Sequence, residues 1–132
     1  MTDTDGRVYL ATVLLIEDDL TLSRLYEEKF TIEAFKILVA HDGETGLKLA
    51  QNEDINLILL DVGLPRESGL DVLEKLRATK KGRDIPVIIL TNMVSQNDRR
   101  KAERLGAIEY LVKAMQTPET VVNKVREHLS SK

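Results

Sequence analysis

No cysteine occurs anywhere in the 132 residues, which removes disulfide scaffolds, thiolate nucleophiles and cysteine-ligated zinc in one stroke. Tryptophan is also missing, and only two Phe and three Tyr are present. The core must therefore be aliphatic. Proline occurs three times and glycine seven, too few for a low-complexity chain. No apolar run approaches the roughly 18 residues of a membrane span, and the first residues, MTDTDGRVYLA, are polar and acidic rather than a signal peptide. The net charge of -3 gives no basic footprint for nucleic acid. No Gly-rich Walker or dinucleotide loop is present, and His41 and His128 stand too far apart in sequence for a triad or metal pair. These absences point to one cytoplasmic domain without a membrane segment or direct nucleic-acid contact. Residues 1–9 are expected to form a flexible tail and 10–132 the domain.

What is present is a strict alternation. Five short apolar runs, TVLLI (12–16), KILVA (36–40), NLILL (56–60), PVIIL (86–90) and EYLV (109–112), carry many β-branched residues. The first four are continuous, as in strands covered on both faces. Helical spacing separates them. Leu22, Tyr26 and Phe30 recur at i, i+4 and i+8 with Leu25 beside them. Leu70, Leu73 and Leu76 share a face, as do Val121, Val122, Val125 and Leu129 behind Pro118. Weaker helices are expected over 44–52 and 95–105, the latter ending at Gly106. Five β-α units predict a single-domain, flavodoxin-like, doubly wound α/β fold. Its sheet has five parallel strands, with helices on both faces.

Ligands of such sheets sit beyond the carboxyl ends of the strands. Those ends read Glu17-Asp18-Asp19, Asp61, Thr91-Asn92 and Lys113. Crowded carboxylates need a counter-charge, and hard oxygen donors suit Mg²⁺. A carboxylate nucleophile beside a hydroxyl and an ammonium suits phosphoryl transfer, where positioning and electrostatics do most of the catalysis. Taken singly, each residue has a plainer reading: a polar loop, a turn cap, a strand-end hydroxyl, a solvated lysine or a core tyrosine. Their joint placement is what points to a site.

The segments VLLIEDDLTLSRLYEE, INLILLDVGLPRESGLDVLEKLR, IPVIILTN and GAIEYLVK resemble the receiver domain of two-component response regulators, over about residues 11–130. The resemblance implies Mg²⁺ bound by Glu17, Asp18 and Asp61, with the backbone carbonyl of Gly63. It makes Asp61 the phosphoacceptor, Thr91 and Lys113 the groups that hold the phosphoryl oxygens, and Tyr110 and Thr91 the switch pair. Leu64-Pro65 and Gly69 match the loop after the acceptor. Implied partners are a histidine kinase or phosphotransfer protein and a downstream target or attached output domain. A homodimer through the α4–β5–α5 face is a further implied assembly. The domain is then a self-catalysing switch rather than a turnover enzyme. Two rivals remain: a phosphorylation-independent interaction module, and an aspartate-nucleophile phosphatase, against which Gly63 in place of a second acid weighs.

Two positions depart from the family pattern. Asn92 stands where a small residue is usual, and is expected to overhang the site and modulate access. Ala114 stands where proline follows the lysine. A cis bond before a non-proline costs about 2.5–4 kcal/mol, so a trans Lys113–Ala114 bond is expected, with Lys113 reaching the site less securely. Asp19 is expected to face water and cap the first helix. The basic stretch Arg99, Arg100, Lys101 and Arg104 reads as a solvated face.

Overall fold

A computed structural model describes residue 2 and residues 6–130. Most of the expected tail, residues 1 and 3–5, lies outside the described residues, as do 131 and 132. Of the rest of that tail, Thr2 bridges Val8 in antiparallel fashion.

Five strands, β1 (Thr12–Ile16), β2 (Lys36–Ala40), β3 (Leu57–Leu60), β4 (Val87–Thr91) and β5 (Glu109–Val112), alternate with α1 (Leu20–Ile32), α2 (Gly43–Asn52), α3 (Gly69–Arg77), α4 (Gln96–Arg104) and α5 (Pro118–Ser130). All strand pairs are parallel, in the order β2-β1-β3-β4-β5. The continuous apolar runs are explained by burial. Every residue of β1, β3 and β4 is buried, while the edge strands β2 and β5 are partly exposed.

Alternate residues of each strand feed opposite faces. Leu14, Ile16, Ile58, Leu60, Val87 and Ile89 pack with Ala50 of α2, Leu73 and Leu76 of α3 and Ala102 of α4. Val13, Leu15, Leu57, Leu59, Ile88, Leu90 and Leu111 pack with Tyr26 and Phe30 of α1 and with Val121, Val122 and Val125 of α5. The scarcity of aromatics shows here: Phe30 and Phe35 meet edge to face, 5.3 Å between centroids, beneath an otherwise aliphatic layer.

The helix ends follow local chemistry. Asp19, Asp42, Ser68 and Ser95 each accept an N–H of the first turn, satisfying donors that have no helical partner. α4 ends in a Schellman motif at Gly106 (φ 80°), with Gly106 N–H donating to Glu103 O and Ala107 N–H to Ala102 O. On α1, Leu22, Tyr26 and Phe30 face the core as expected, but Leu25 does not. Leu25 is about half exposed, and the buried stripe of α1 is Ser23, Tyr26 and Phe30. The Ser23 hydroxyl makes this tolerable by donating to Leu20 O at 3.1 Å.

The chain steps from β1 outward to β2, then returns across to β3. The reversal of direction therefore falls between β1 and β3, and the crevice beyond their carboxyl ends is where such sheets bind ligands.

Candidate functional site

Two neighbouring strands deliver the central acids. Ile16 pairs with Leu60 in the β1–β3 ladder, so the residues after them, Glu17 and Asp61, emerge side by side. Asp61 N–H donates to Ile16 O at 3.1 Å and Glu17 N–H to Ala40 O at 2.9 Å, which extends the sheet by one residue beneath both carboxylates. Glu17 is 1% exposed and Asp61 5%. Asp18 is exposed, and one oxygen from each of Glu17, Asp18 and Asp61 falls within 4.8 Å of the others.

Lys113 lies between the two buried acids. Its ammonium donates to Asp61 Oδ2 at 2.7 Å and pairs with Glu17 Oε1. The other oxygens are held by backbone: Gly63 N–H donates to Asp61 Oδ1 at 3.1 Å and Asp19 N–H to Glu17 Oε2 at 3.0 Å. Each carboxylate is thereby gripped at both oxygens and its plane is fixed. No described peptide bond is cis, so Lys113–Ala114 is trans as expected. The expectation that Lys113 would therefore reach less securely is overturned, because a one-turn 3₁₀ helix, η1 (Lys113–Met115), carries it to both acids.

Three acids after β1 divide the work. Glu17 turns inward, Asp18 joins the cluster from the solvent side, and Asp19 caps α1 by accepting Leu22 N–H at 3.0 Å. His41, unremarkable in sequence, fixes this corner. Its Nδ1 lies 3.0 Å from Glu17 O, and since a carbonyl only accepts, Nδ1 carries the proton.

Thr91 is 1% exposed at the end of β4, its Oγ1 accepting Met93 N–H at 3.2 Å. Tyr110 donates its hydroxyl to Met93 O at 2.6 Å while the Arg99 guanidinium lies 4.7 Å over its ring. The β4–α4 loop thus joins the two expected switch residues. Arg99 is engaged in the fold, and Lys101 pairs with Asp71 at 3.6 Å, so the basic stretch is only in part a solvated face. Asn92 is exposed, and its Oδ1 accepts Ala114 N–H at 2.9 Å. Its side chain is committed to the neighbouring turn.

Gly69 supplies something no motif conveys. A Cβ there would lie 1.9 Å from Asp61 O and 2.9 Å from Val62 Cα, and its N–H donates to Val62 O at 2.8 Å. The start of α3 rests directly on the backbone of Asp61 and Val62. Arg77 was also missed. It donates to Gly82 O, Ile85 O and Leu105 O at 2.7–2.9 Å, tying the loop before β4 to the end of α4.

Burial is the largest influence on Glu17 and pushes its carboxyl up. Nearby Asp61 adds to this, against the opposing pull of Lys113 and Asp19 N–H. Burial alone would lower the Lys113 ammonium, but its bonds to Asp61 and Glu17 prevail and raise it. The signs follow by linkage. Glu17, raised above its unfolded value of about 4.3, stabilises the fold when protonated, and that contribution is lost as pH rises through its folded value. Lys113 contributes below about pH 10.4 and loses its contribution in stronger alkali. Glu17→Gln is therefore expected to raise the stability of the metal-free protein at neutral pH and to flatten the fall in stability above about pH 4. Thermal melts across pH in chelator measure both; an unchanged or lowered Tm at neutral pH would contradict the assignment.

The oxygen donors fit a small hard cation. Glu17, Asp18 and Asp61 would hold it, and the buried pair needs positive charge whether from Lys113 or from an ion.

Residues 13–126 match the sequence model of the family described as "Response regulator receiver domain". The chain is 42% identical over 109 residues to the transcriptional regulatory protein CpxR of Escherichia coli (strain K12), covering 83% of this chain and 45% of that protein. It thus spans about half the length of the curated relatives it matches. A response regulator receiver domain protein (CheY-like) from Methanospirillum hungatei JF-1 superposes with a TM-score of 0.86 at 25% identity, over 92% of this chain and 95% of the other. The manganese-bound form of response regulator Rcp1 gives 0.73 at 27% identity, over 83% and 85%.

Proposed function

Since the chain belongs to the response regulator receiver domain family of two-component signalling, we propose that Asp61 is its phosphoacceptor and that the acids around it bind Mg²⁺. The observation that carries this is the grip on Asp61: a buried carboxylate at the carboxyl end of the central strand, held by Lys113 on one oxygen and Gly63 N–H on the other. A carboxylate so fixed is oriented for attack before any donor arrives.

In the reaction, a carboxylate oxygen of Asp61 bonds to phosphorus. The P–N bond of a phosphohistidine on a kinase or phosphotransfer protein breaks, and its electron pair returns to the imidazole. The Lys113 ammonium, already beside Asp61, pairs with a phosphoryl oxygen as negative charge moves onto the site, and the Thr91 hydroxyl supplies a second donor. When bound by Glu17, Asp18, Asp61 and the Gly63 carbonyl, Mg²⁺ supplies the remaining charge neutralisation. Gly63 has no side chain where an aspartate-nucleophile phosphatase would place a second acid, which supports a switch over a hydrolase. The domain is a switch, not a turnover catalyst.

Output is proposed to run through the β4–α4 loop. Movement of Thr91 toward the phosphate draws on Met93, which it shares with Tyr110, and so reaches the α4–β5–α5 face, where a target, an attached output domain or a second copy would bind. Two states of unequal affinity for phosphate suffice. Cytoplasmic placement follows from such a phosphodonor; no described helix is long and apolar enough to cross a membrane. The interaction-module alternative has no feature of the site in its favour.

The test is a Mg²⁺ titration with beryllofluoride and with phosphoramidate. Wild type is expected to form an acid-stable, alkali-labile phosphate. Asp18→Ala should cut Mg²⁺-dependent phosphorylation by about a hundredfold or more, since loss of a ligand exceeds the 10–100-fold cost of its supports, while Asp19→Ala should leave it largely intact. Equal effects of the two would defeat the division of labour between them.

A further inference from the structure

The two positions that depart from the family pattern touch each other. Asn92 follows Thr91 and Ala114 follows Lys113, and the β4–β5 ladder ends with Thr91 paired to Val112. One step beyond, Asn92 Oδ1 accepts Ala114 N–H at 2.9 Å, so a side chain carries the pairing of the two strands past their last rung. Proline at 114 has no N–H to give, and alanine at 92 no oxygen to receive it. The bond exists only because both positions differ.

Apart from the Lys113 ion pairs, the turn it reaches has little else to hold it. No residue of η1 (Lys113–Met115) is buried, its flanking Val112 gives no side-chain cap, and Met115 is 79% exposed. Gln116 N–H closes the turn locally on Lys113 O at 3.0 Å. From this exposed turn Lys113 extends a side chain with four rotatable bonds to two buried carboxylates. We propose that Asn92 is a positioning residue for phosphoryl transfer: by fixing the Ala114 amide it sets the η1 turn, and through it the reach of the Lys113 ammonium to Asp61.

This differs in kind from an overhanging side chain that screens the site. Screening depends on bulk, positioning on an acceptor oxygen. Leucine keeps the γ-branched outline of asparagine, with more bulk and no acceptor, and aspartate keeps the acceptor. The proposal rests on Asp61 and Lys113 serving as described above, so its test reads the turn separately from the chemistry.

The experiment measures amide hydrogen exchange at Ala114 and the rate of phosphorylation by phosphoramidate in wild type, Asn92→Ala, Asn92→Leu and Asn92→Asp. Asn92 is exposed, and equal melting temperatures will show that the variants fold. A hydrogen bond of ordinary net strength predicts about a two- to tenfold loss of Ala114 protection and of rate in both Asn92→Ala and Asn92→Leu. Protection at Ala114 is retained in Asn92→Asp. The Lys113 ammonium resonance, sharp when its protons are held in ion pairs, broadens in the Ala and Leu variants alone. If Asn92→Leu behaves as wild type while Asn92→Ala does not, the residue acts by bulk and the proposal is wrong. Unchanged Ala114 protection in Asn92→Ala overturns it equally. A wild-type protein that takes neither phosphate nor beryllofluoride would overturn the phosphoacceptor reading, while the exchange data would still decide whether Asn92 holds the turn.

Discussion

Asp61→Asn is expected to take up no stable phosphate, a fall of at least about a thousandfold in phosphorylation rate, on the scale seen when a nucleophile is removed. The substitution keeps the shape of the side chain and one oxygen for Lys113 or Gly63 N–H, but an amide is too poor a nucleophile to displace a phosphoramidate nitrogen. It also removes one of two negative charges that face each other across the Lys113 ammonium, so the fold should persist or gain stability. Circular dichroism and melting confirm the fold, and incorporation of acid-stable, alkali-labile phosphate from a competent kinase reads the chemistry. Retained incorporation would mean that another residue accepts the phosphoryl group.

Gly69→Ala is expected to be the most damaging single-methyl change in the loop after the acceptor. The added carbon would meet Asp61 O at 1.9 Å, Asp61 C at 2.8 Å and Val62 Cα at 2.9 Å. These are backbone atoms, with Asp61 N–H and Val62 O held by hydrogen bonds, so relief requires moving the start of α3 or Asp61 itself. Overpacking against such an obstacle costs about 3 kcal/mol, and for a domain of this size Tm should drop by on the order of 10 °C. Phosphorylation should slow as well, because misplacing Asp61 spoils the grip of Lys113 and Gly63. Gly46→Ala makes the control. Its new carbon would meet the buried side chain of Ile16, at 2.5 Å from Cδ1, 2.9 Å from Cγ1 and 3.3 Å from Cγ2. A side chain rather than backbone must therefore shift, and alanine gains about 1 kcal/mol in a helix interior against that cost. A clearly smaller loss in Gly46→Ala than in Gly69→Ala is the expected pair; similar melts for both would show that the Asp61 contact yields as cheaply as a side chain.

The contrast between these glycines illustrates what the sequence conveys and what it withholds. Strands announced themselves because burial on both faces requires unbroken apolar runs, and β1, β2 and β5 fall on the residues read from sequence. β3 and β4 begin one residue later than read, where Asn56 turns its side chain to Thr12 N–H and Pro86 has no N–H for the ladder. Asp61, Glu17 and Asp18 were legible because the alternation placed them at one edge, and chemistry at that edge is restricted. The contacts of Gly69, Arg77 and Asn92 were not legible. Each joins residues remote in sequence through a backbone atom, and a carbonyl or amide carries no side-chain identity that a sequence could display. Leu25 departs for a different reason: apolar character suggested a wider stripe on α1, but packing against β1, β2 and α5 reaches only Leu22, Ser23, Tyr26 and Phe30.

α4 stands apart from the other helices. It buries one residue, Ala102, where α3 buries five. The start of α4 can roll away from the sheet about its tethered C-cap, where Leu105 packs on the core and its carbonyl accepts from Arg77. That motion exposes little apolar surface beyond Ala102, on the order of 1 kcal/mol. It also breaks the Tyr110–Arg99 contact and the half-exposed Lys101–Asp71 pair, each worth about 1 kcal/mol or less. Shifting α3 would expose three leucines and a valine. A difference of a few kcal/mol in the contacts around one aspartate is therefore ample to reposition α4 and far too small to disturb its neighbour. The direction in which this domain yields is written into the thinness of that helix's apolar face, independently of which molecule reads the result.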